Sequence, residues 1–141
     1  MSDTKKINGK CLCGAVEITA NRAGSEVGAC HCRSCRRWGG GPFLEVDCGS
    51  DIEFSGMDHI AVYNSSDWAE RGFCRLCGTH LFYRLKENRQ HMIPVGLLDD
   101  DADRRFRTQV FIDEKPEYYR FANQTEELTG AELFARFAPP E

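Results

Sequence analysis

A chain of 141 residues, 41% hydrophobic and 28% charged, has the size and apolar content of one domain with its own core, and residues 1–141 are read as that single domain. No stretch approaches the ~20 apolar residues of a membrane span, and MSDTKKINGK lacks the apolar run of a secretory signal, so the expected setting is cytoplasmic, with no membrane partner. A net charge of −4, which seven thiolates and two zinc ions would move to about −7, argues against nucleic acid, because phosphate neutralisation drives that affinity.

In chain order, short β-like runs dominate. Residues Ala15–Ala20 alternate Val16 and Ile18 with polar neighbours. Phe43–Val46, Ile52–Phe54, Ile60–Tyr63, Thr79–Leu85, Met92–Leu97 and Thr108–Ile112 are β-branched or aromatic and bounded by turn formers. Helical signals are few. Ser34–Trp38 predicts one turn, and Asp99–Arg105 a helical or turn connection. Thr129 with Glu132 fits a capping box ahead of Leu133, Phe134 and Phe137, with Pro139 and Pro140 as a stop. The expected class is mostly β: a compact, twisted antiparallel domain with zinc-ribbon-like knuckles and few short helices.

Seven of the eight cysteines fall in three clusters: Cys11 and Cys13; Cys30, Cys32 and Cys35; Cys74 and Cys77. In a reducing compartment such clusters favour metal over disulfides. On an extended backbone Cys11 and Cys13 point the same way, and Gly14 allows a tight turn beneath them. Two sulfurs do not fill a tetrahedron. The C-x-x-C-G knuckle of Cys74, Cys77 and Gly78 supplies the other two, giving a closed and therefore structural zinc site. It would also clip a loop of about sixty residues.

The triplet Cys30, Cys32 and Cys35 offers three thiolates and leaves a fourth vertex for water or substrate. A thiol arriving there would lose its proton to the metal and become a nucleophile at neutral pH. The competing reading closes this site with a fourth ligand from Cys48, His59, His80 or His91. His31, between Cys30 and Cys32, should point away from the metal and serve as wall or packing, although a ligand role stays open. Arg33, Arg36 and Arg37 surround the triplet, and their forks suit a carboxylate-bearing substrate; the alternative is a solvated basic turn. Gly39–Gly41 and Pro42 allow close substrate approach or simply turn the chain. Cys48 reads as a small buried hydrophobe.

With these residues in hand, GKCLCGAVEI, CHCRSCRRWGGGPF and GFCRLCGTHLFY, in that order, resemble the glutathione-dependent formaldehyde-activating family, which includes centromere-protein-V-like proteins. The later VFIDEKPEYYRFANQTEELT, with Lys115–Pro116 and the aromatics after it, is similar to the family's ending. The resemblance implies a twisted β domain sometimes called a β-tent. It implies structural zinc on Cys11, Cys13, Cys74 and Cys77, and catalytic zinc on Cys30, Cys32 and Cys35. It implies a carbon–sulfur lyase that joins glutathione and formaldehyde as S-hydroxymethylglutathione. Arg33, Arg36 or Arg37 would hold the thiol's carboxylates, and His31 or Tyr119 could serve the proton step. Two readings of another kind compete: a non-catalytic zinc scaffold that binds a protein, and a redox or metal sensor that uses the triplet as its switch.

Overall fold

Strands and turns follow one another quickly through the chain, and helices are short. The computed structural model describes residues 4–99 and 103–137, the side chain of Phe137 excepted. Among them are eleven strands and two helices, so the fold is mostly β. The chain divides into two compact units, each discontinuous in sequence: residues 1–25 with 45–104, and residues 26–44 with 105–141.

In the first unit, β1 (Lys5–Lys10), β2 (Glu17–Ala23) and β5 (Ile52–Ser55) form an antiparallel sheet in the order β1-β2-β5. Ile7, Ile18 and Ala20 alternate inward along it. A second run orders β4 (Phe43–Asp47, whose last three residues belong here), β9 (His91–Pro94), β8 (His80–Leu85), β7 (Ala69–Cys74) and β6 (Ile60–Asn64), all antiparallel. Phe54 of β5 lies against Phe82 of β8 and His91 of β9, at 5.6 and 5.9 Å between ring centroids. Val16, Val46, Cys48, Leu81 and Ile93 complete this core. Gly72 faces the Phe82 ring so closely that a Cβ there would collide with it. Cys48 is the buried small hydrophobe expected, its thiol pushed up to about 12 by burial.

In the second unit, β10 (Arg105–Val110) sits between β3 (Glu26–Cys30) and β11 (Glu126–Leu128), parallel to both. These two ladders are parallel, whereas the pairings described in the first unit are antiparallel. Helix α1 (Arg33–Gly39) follows β3, and α2 (Gly130–Phe137) follows β11.

Most expected elements are present with shifted ends. The Ala15–Ala20 run becomes a strand only from Glu17, because Cys11 to Val16 is a turn closed by the Cys11 N–H on the Val16 carbonyl at 3.0 Å. Met92–Leu97 divides at Pro94, with Val95–Leu97 turning as a 3-10 helix. Thr108–Ile112 overlaps only the end of a strand that starts earlier, at Arg105, and stops at Val110; Ile112 already opens a 3-10 turn. Of the Asp99–Arg105 connection, Arg105 is in that strand and residues 100–102 lie outside the described residues. The capping box forms: the Thr129 N–H donates to Glu132 Oε1 at 2.8 Å, and the Glu132 N–H to Thr129 Oγ1 at 3.1 Å. Leu133 is half-buried, but Phe134 is 55% exposed and touches Phe111 only by its edge; the stop at Pro139 and Pro140 lies outside the described residues.

Candidate metal centres

The two expected clusters form, each within a single unit. In the first unit, the sulfurs of Cys11, Cys13, Cys74 and Cys77 all lie within 4.8 Å of one another. The Cys11–Cys13 and Cys13–Cys74 separations are 3.6 and 3.8 Å. Four bonds of ~2.3 Å in a tetrahedron place sulfurs about 3.8 Å apart, so the donor set fits a tetrathiolate metal ion.

Local backbone holds this site. Cys11 leaves β1, and Cys74 ends β7. Gly14 and Gly78 adopt φ of +80° and +79°, the left-handed turns that let each chain fold under its sulfurs. The Gly78 N–H reaches the Cys74 carbonyl at 2.7 Å, and the Gly14 N–H the Cys11 carbonyl at 3.0 Å. The Val16 N–H donates to Cys11 Sγ at 3.3 Å. Thr79, to which the sequence pattern gave no role, latches the two knuckles: its hydroxyl accepts from the Leu12 N–H at 3.1 Å and lies 3.1 Å from Cys77 Sγ. That hydroxyl, with the Thr79 N–H, brings the Cys77 thiol down to about 5. The Ala15 N–H pulls Cys13 the same way, but desolvation and competition with Cys77, Cys11 and Cys74 leave it at about 11. Thiols this crowded do not all ionise without a cation among them.

In the second unit, the sulfurs of Cys30, Cys32 and Cys35 also group within 4.8 Å. Cys30 ends β3. Cys32 caps α1, its sulfur accepting from the Cys35 N–H at 3.3 Å. Cys35 is buried in the helix's first turn. Among the described residues no fourth Cys, His or carboxylate joins this group; Cys48, His59, His80 and His91 are not members. Contacts with the Cys32 and Cys35 thiols, then burial, push the Cys30 thiol far up, so it stays protonated unless a cation joins the group.

Around the triplet, His31 is completely buried and outside the ligand group. Its Nδ1 lies 2.8 Å from Tyr119 Oη and its Nε2 2.7 Å from Gln109 Oε1. Neither Gln109 nor Thr125, its further partner, carries a motif signal in the sequence. The three arginines part company. Arg36 is half-buried, with Nε donating to the His31 carbonyl at 2.9 Å. The Arg33 side chain is exposed while its N–H donates to Glu114 Oε1 at 3.0 Å; Arg37 is exposed. Of the glycine run, Gly40 closes α1 at φ 86°, its N–H on the Arg36 carbonyl. None of the eight cysteines is in a disulfide.

With both clusters in place, the family model described as glutathione-dependent formaldehyde-activating enzyme matches residues 6–114, running through both units. The chain belongs to that family. An uncharacterized lyase of Schizosaccharomyces pombe is 35% identical over 126 residues, 89% of this chain and 92% of the relative. A Podospora anserina protein named for glutathione-dependent formaldehyde activation is 34% identical over 83 residues; the match spans 55% of this chain and 39% of that longer protein. A Rhodobacter sphaeroides protein of known crystal structure superposes with a TM-score of 0.54 at 25% identity, over 70% of this chain and 98% of its own. At the family's level this is a lyase linked by name to glutathione and formaldehyde, with two thiol clusters that can hold metal. Among the described residues no helix is long and apolar enough to cross a membrane.

Proposed function

We propose that the chain is a zinc-dependent carbon–sulfur lyase that joins a small anionic thiol such as glutathione to an aldehyde such as formaldehyde, and reverses that reaction. The observation that carries the reading is the three-thiol group without a fourth protein ligand among the described residues, in a family named for this chemistry. Cys11, Cys13, Cys74 and Cys77 would hold a structural zinc; Cys30, Cys32 and Cys35 would hold the catalytic one. When bound there, zinc supplies a Lewis acid that favours the thiolate form of an incoming thiol.

The reaction needs little more than placement and one proton. A carbon–sulfur bond forms, the carbonyl π bond opens, and the thiol's proton ends on the aldehyde oxygen. Arg33 and Arg37, exposed beside the triplet in sequence, are suited to the thiol's carboxylates. Arg36, half-buried with its Nε anchored on the His31 carbonyl, is the third candidate. Eight cysteines without a disulfide suit a reducing, cytoplasmic setting.

The test is metal content combined with a thiol-and-aldehyde panel. Two metals per chain, one of them exchangeable, with hemithioacetal formed from glutathione and formaldehyde, is the expected result. One metal per chain and no thiol binding would favour a protein-binding scaffold.

A further inference from the structure

Every polar group of His31 is engaged. Its N–H donates to the Val110 carbonyl of β10 at 3.1 Å. Its carbonyl accepts from Arg36 Nε of α1 at 2.9 Å. Its ring lies between Tyr119 Oη and Gln109 Oε1, stacked on Tyr119 with 5.5 Å between centroids and tilted against Phe121 at 6.1 Å. The residue is fully buried, and Gln109 is 2% exposed. A hydrophobic side chain would fill that volume without the demands of a buried polar network, which costs stability whenever one member lacks a partner.

One proton arrangement satisfies the chain of bonds. Gln109 Nε2 donates to Thr125 Oγ1 at 2.9 Å, and the Gln109 oxygen faces His31. The proton of the neutral imidazole then sits on Nε2. Nδ1 is left as acceptor for the Tyr119 hydroxyl. Donors and acceptors match throughout without a charged imidazole.

The position of His31 gives the network a purpose. Cys30 and Cys32 flank it, so any rotation of its backbone swings both sulfurs. Through Arg36 it is also tied to the helix that carries Cys35. We infer that His31 is a positioning residue of the three-thiol site, held by Gln109 and Tyr119 so that Cys30, Cys32 and Cys35 keep one metal-binding geometry. The inference rests on the reading of the triplet as a metal site. A site with three protein ligands lacks the fourth strut that stiffens a closed tetrahedron, and partners behind the ligands take over that task.

The test uses the full-length protein, loaded with zinc or cobalt and titrated with a chromophoric chelator. Wild type should hold two metals, the second more weakly. Tyr119→Phe removes one hydroxyl from a half-buried position, and Gln109→Leu removes the acceptor. Each should weaken the second metal roughly 10- to 100-fold while the first stays bound. Gln109→Glu, which keeps an acceptor for the Nε2 proton, should restore most of the affinity. In the cobalt form, Tyr119→Phe should alter the visible spectrum of the second equivalent alone. Second-metal affinity within about twofold of wild type in both Tyr119→Phe and Gln109→Leu would overturn the positioning role while leaving the site intact. Equal loss from both clusters would overturn it too, as general destabilisation. A wild type that holds only one metal would remove the site reading and the positioning role together.

Discussion

The two thiol clusters are built from similar sulfurs but supported in opposite ways. In the four-thiol cluster, the supporting groups belong to the knuckles themselves or to the next residues along: Gly14, Val16, Gly78 and Thr79. In the three-thiol cluster, the residue between the ligands is held from far along the chain, by Gln109 and Tyr119, 78 and 88 residues away. On the proposed reading, a zinc would tie the two halves of the four-thiol site together, so local support suffices there. A three-thiol site with an open position would have to be held from outside, which would separate residues needed for folding from residues needed for reactivity.

The largest effect should come from breaking the closed site. On the proposed reading, Cys77→Ser removes one of four ligands from a zinc that would clip β1 to β7, and such binding would be coupled to folding. The expected product is insoluble, or melts far below wild type with metal lost from both clusters. Soluble Cys77→Ser protein with an unchanged melting temperature would refute the structural role. Cys32→Ala should do the reverse: the fold and one metal persist, while thiol–aldehyde addition disappears. Activity assays beside thermal melts compare the two variants directly. Retained turnover in Cys32→Ala would move the chemistry away from the triplet.

A smaller effect separates substrate reading from site integrity. Neutralising Arg33, Arg36 and Arg37 together should weaken glutathione by ~1.5–3 kcal/mol per lost carboxylate contact and β-mercaptoethanol much less. Calorimetric titration of both thiols checks this, and equal losses would mean that the arginines do not read the substrate. Because Arg36 also anchors His31, the double Arg33/Arg37 variant should show the selective loss with second-metal affinity intact.

The unit with the four-thiol cluster has its own pH sensitivity, at a histidine outside that cluster. His91 is buried against the Phe54 and Phe82 rings, with Nδ1 on the Gly49 carbonyl at 3.2 Å and Nε2 buried without a hydrogen-bond partner among the described residues. Burial, reinforced by Arg84, holds it down to about 4, from an ordinary 6.5. The unfolded chain takes up this proton as pH falls through 6.5, whereas the folded chain takes it up only near 4. Stability from this group is therefore complete above 6.5 and declines between 6.5 and 4. One pH unit into that window the loss is about 1.4 kcal/mol. Melting temperature against pH should slope less steeply from 6.5 to 5 in His91→Phe than in wild type. Parallel curves would show that His91 does not titrate across that window.

Spacing made the two cysteine groups legible and left their supports unread. C-x-C, C-x-x-C-G and the triplet announce their grouping through side-chain geometry alone, and both groups converge. Short β-branched or aromatic runs bounded by turn formers, such as Ile52–Phe54 and Ile60–Tyr63, were likewise visible as strands. Four strands were not: Lys5–Lys10, Glu26–Cys30, Ala69–Cys74 and Glu126–Leu128. KKINGK and AERGFC carry charge and glycine where a propensity reading wants β-branched residues, and tertiary pairing overrides that preference. Gln109 and Thr125 leave no mark in sequence, since their roles depend on a partner far along the chain. Thr79 did leave one: a hydroxyl directly after the glycine of a C-x-x-C-G knuckle can reach back to its second sulfur.

That hydroxyl gives the finest test of local support. Thr79→Val preserves shape and removes the acceptor for the Leu12 N–H together with the partner of Cys77 Sγ. Leu12 is 89% exposed, so water can take over its N–H and the stability cost should stay near 1 kcal/mol. For a chain of this size that is a fall of about 2–4 °C in melting temperature. The chemical effect should be clearer than the thermal one. Without the hydroxyl, the Cys77 thiol of the metal-free protein rises from about 5 toward its ordinary 9.0. Zinc uptake by apo protein at pH 6 should then release more protons in Thr79→Val than in wild type, and Thr79→Ser should behave as wild type. Equal proton release in all three would mean that Thr79 only packs between the knuckles, and that turn geometry alone organises the closed site.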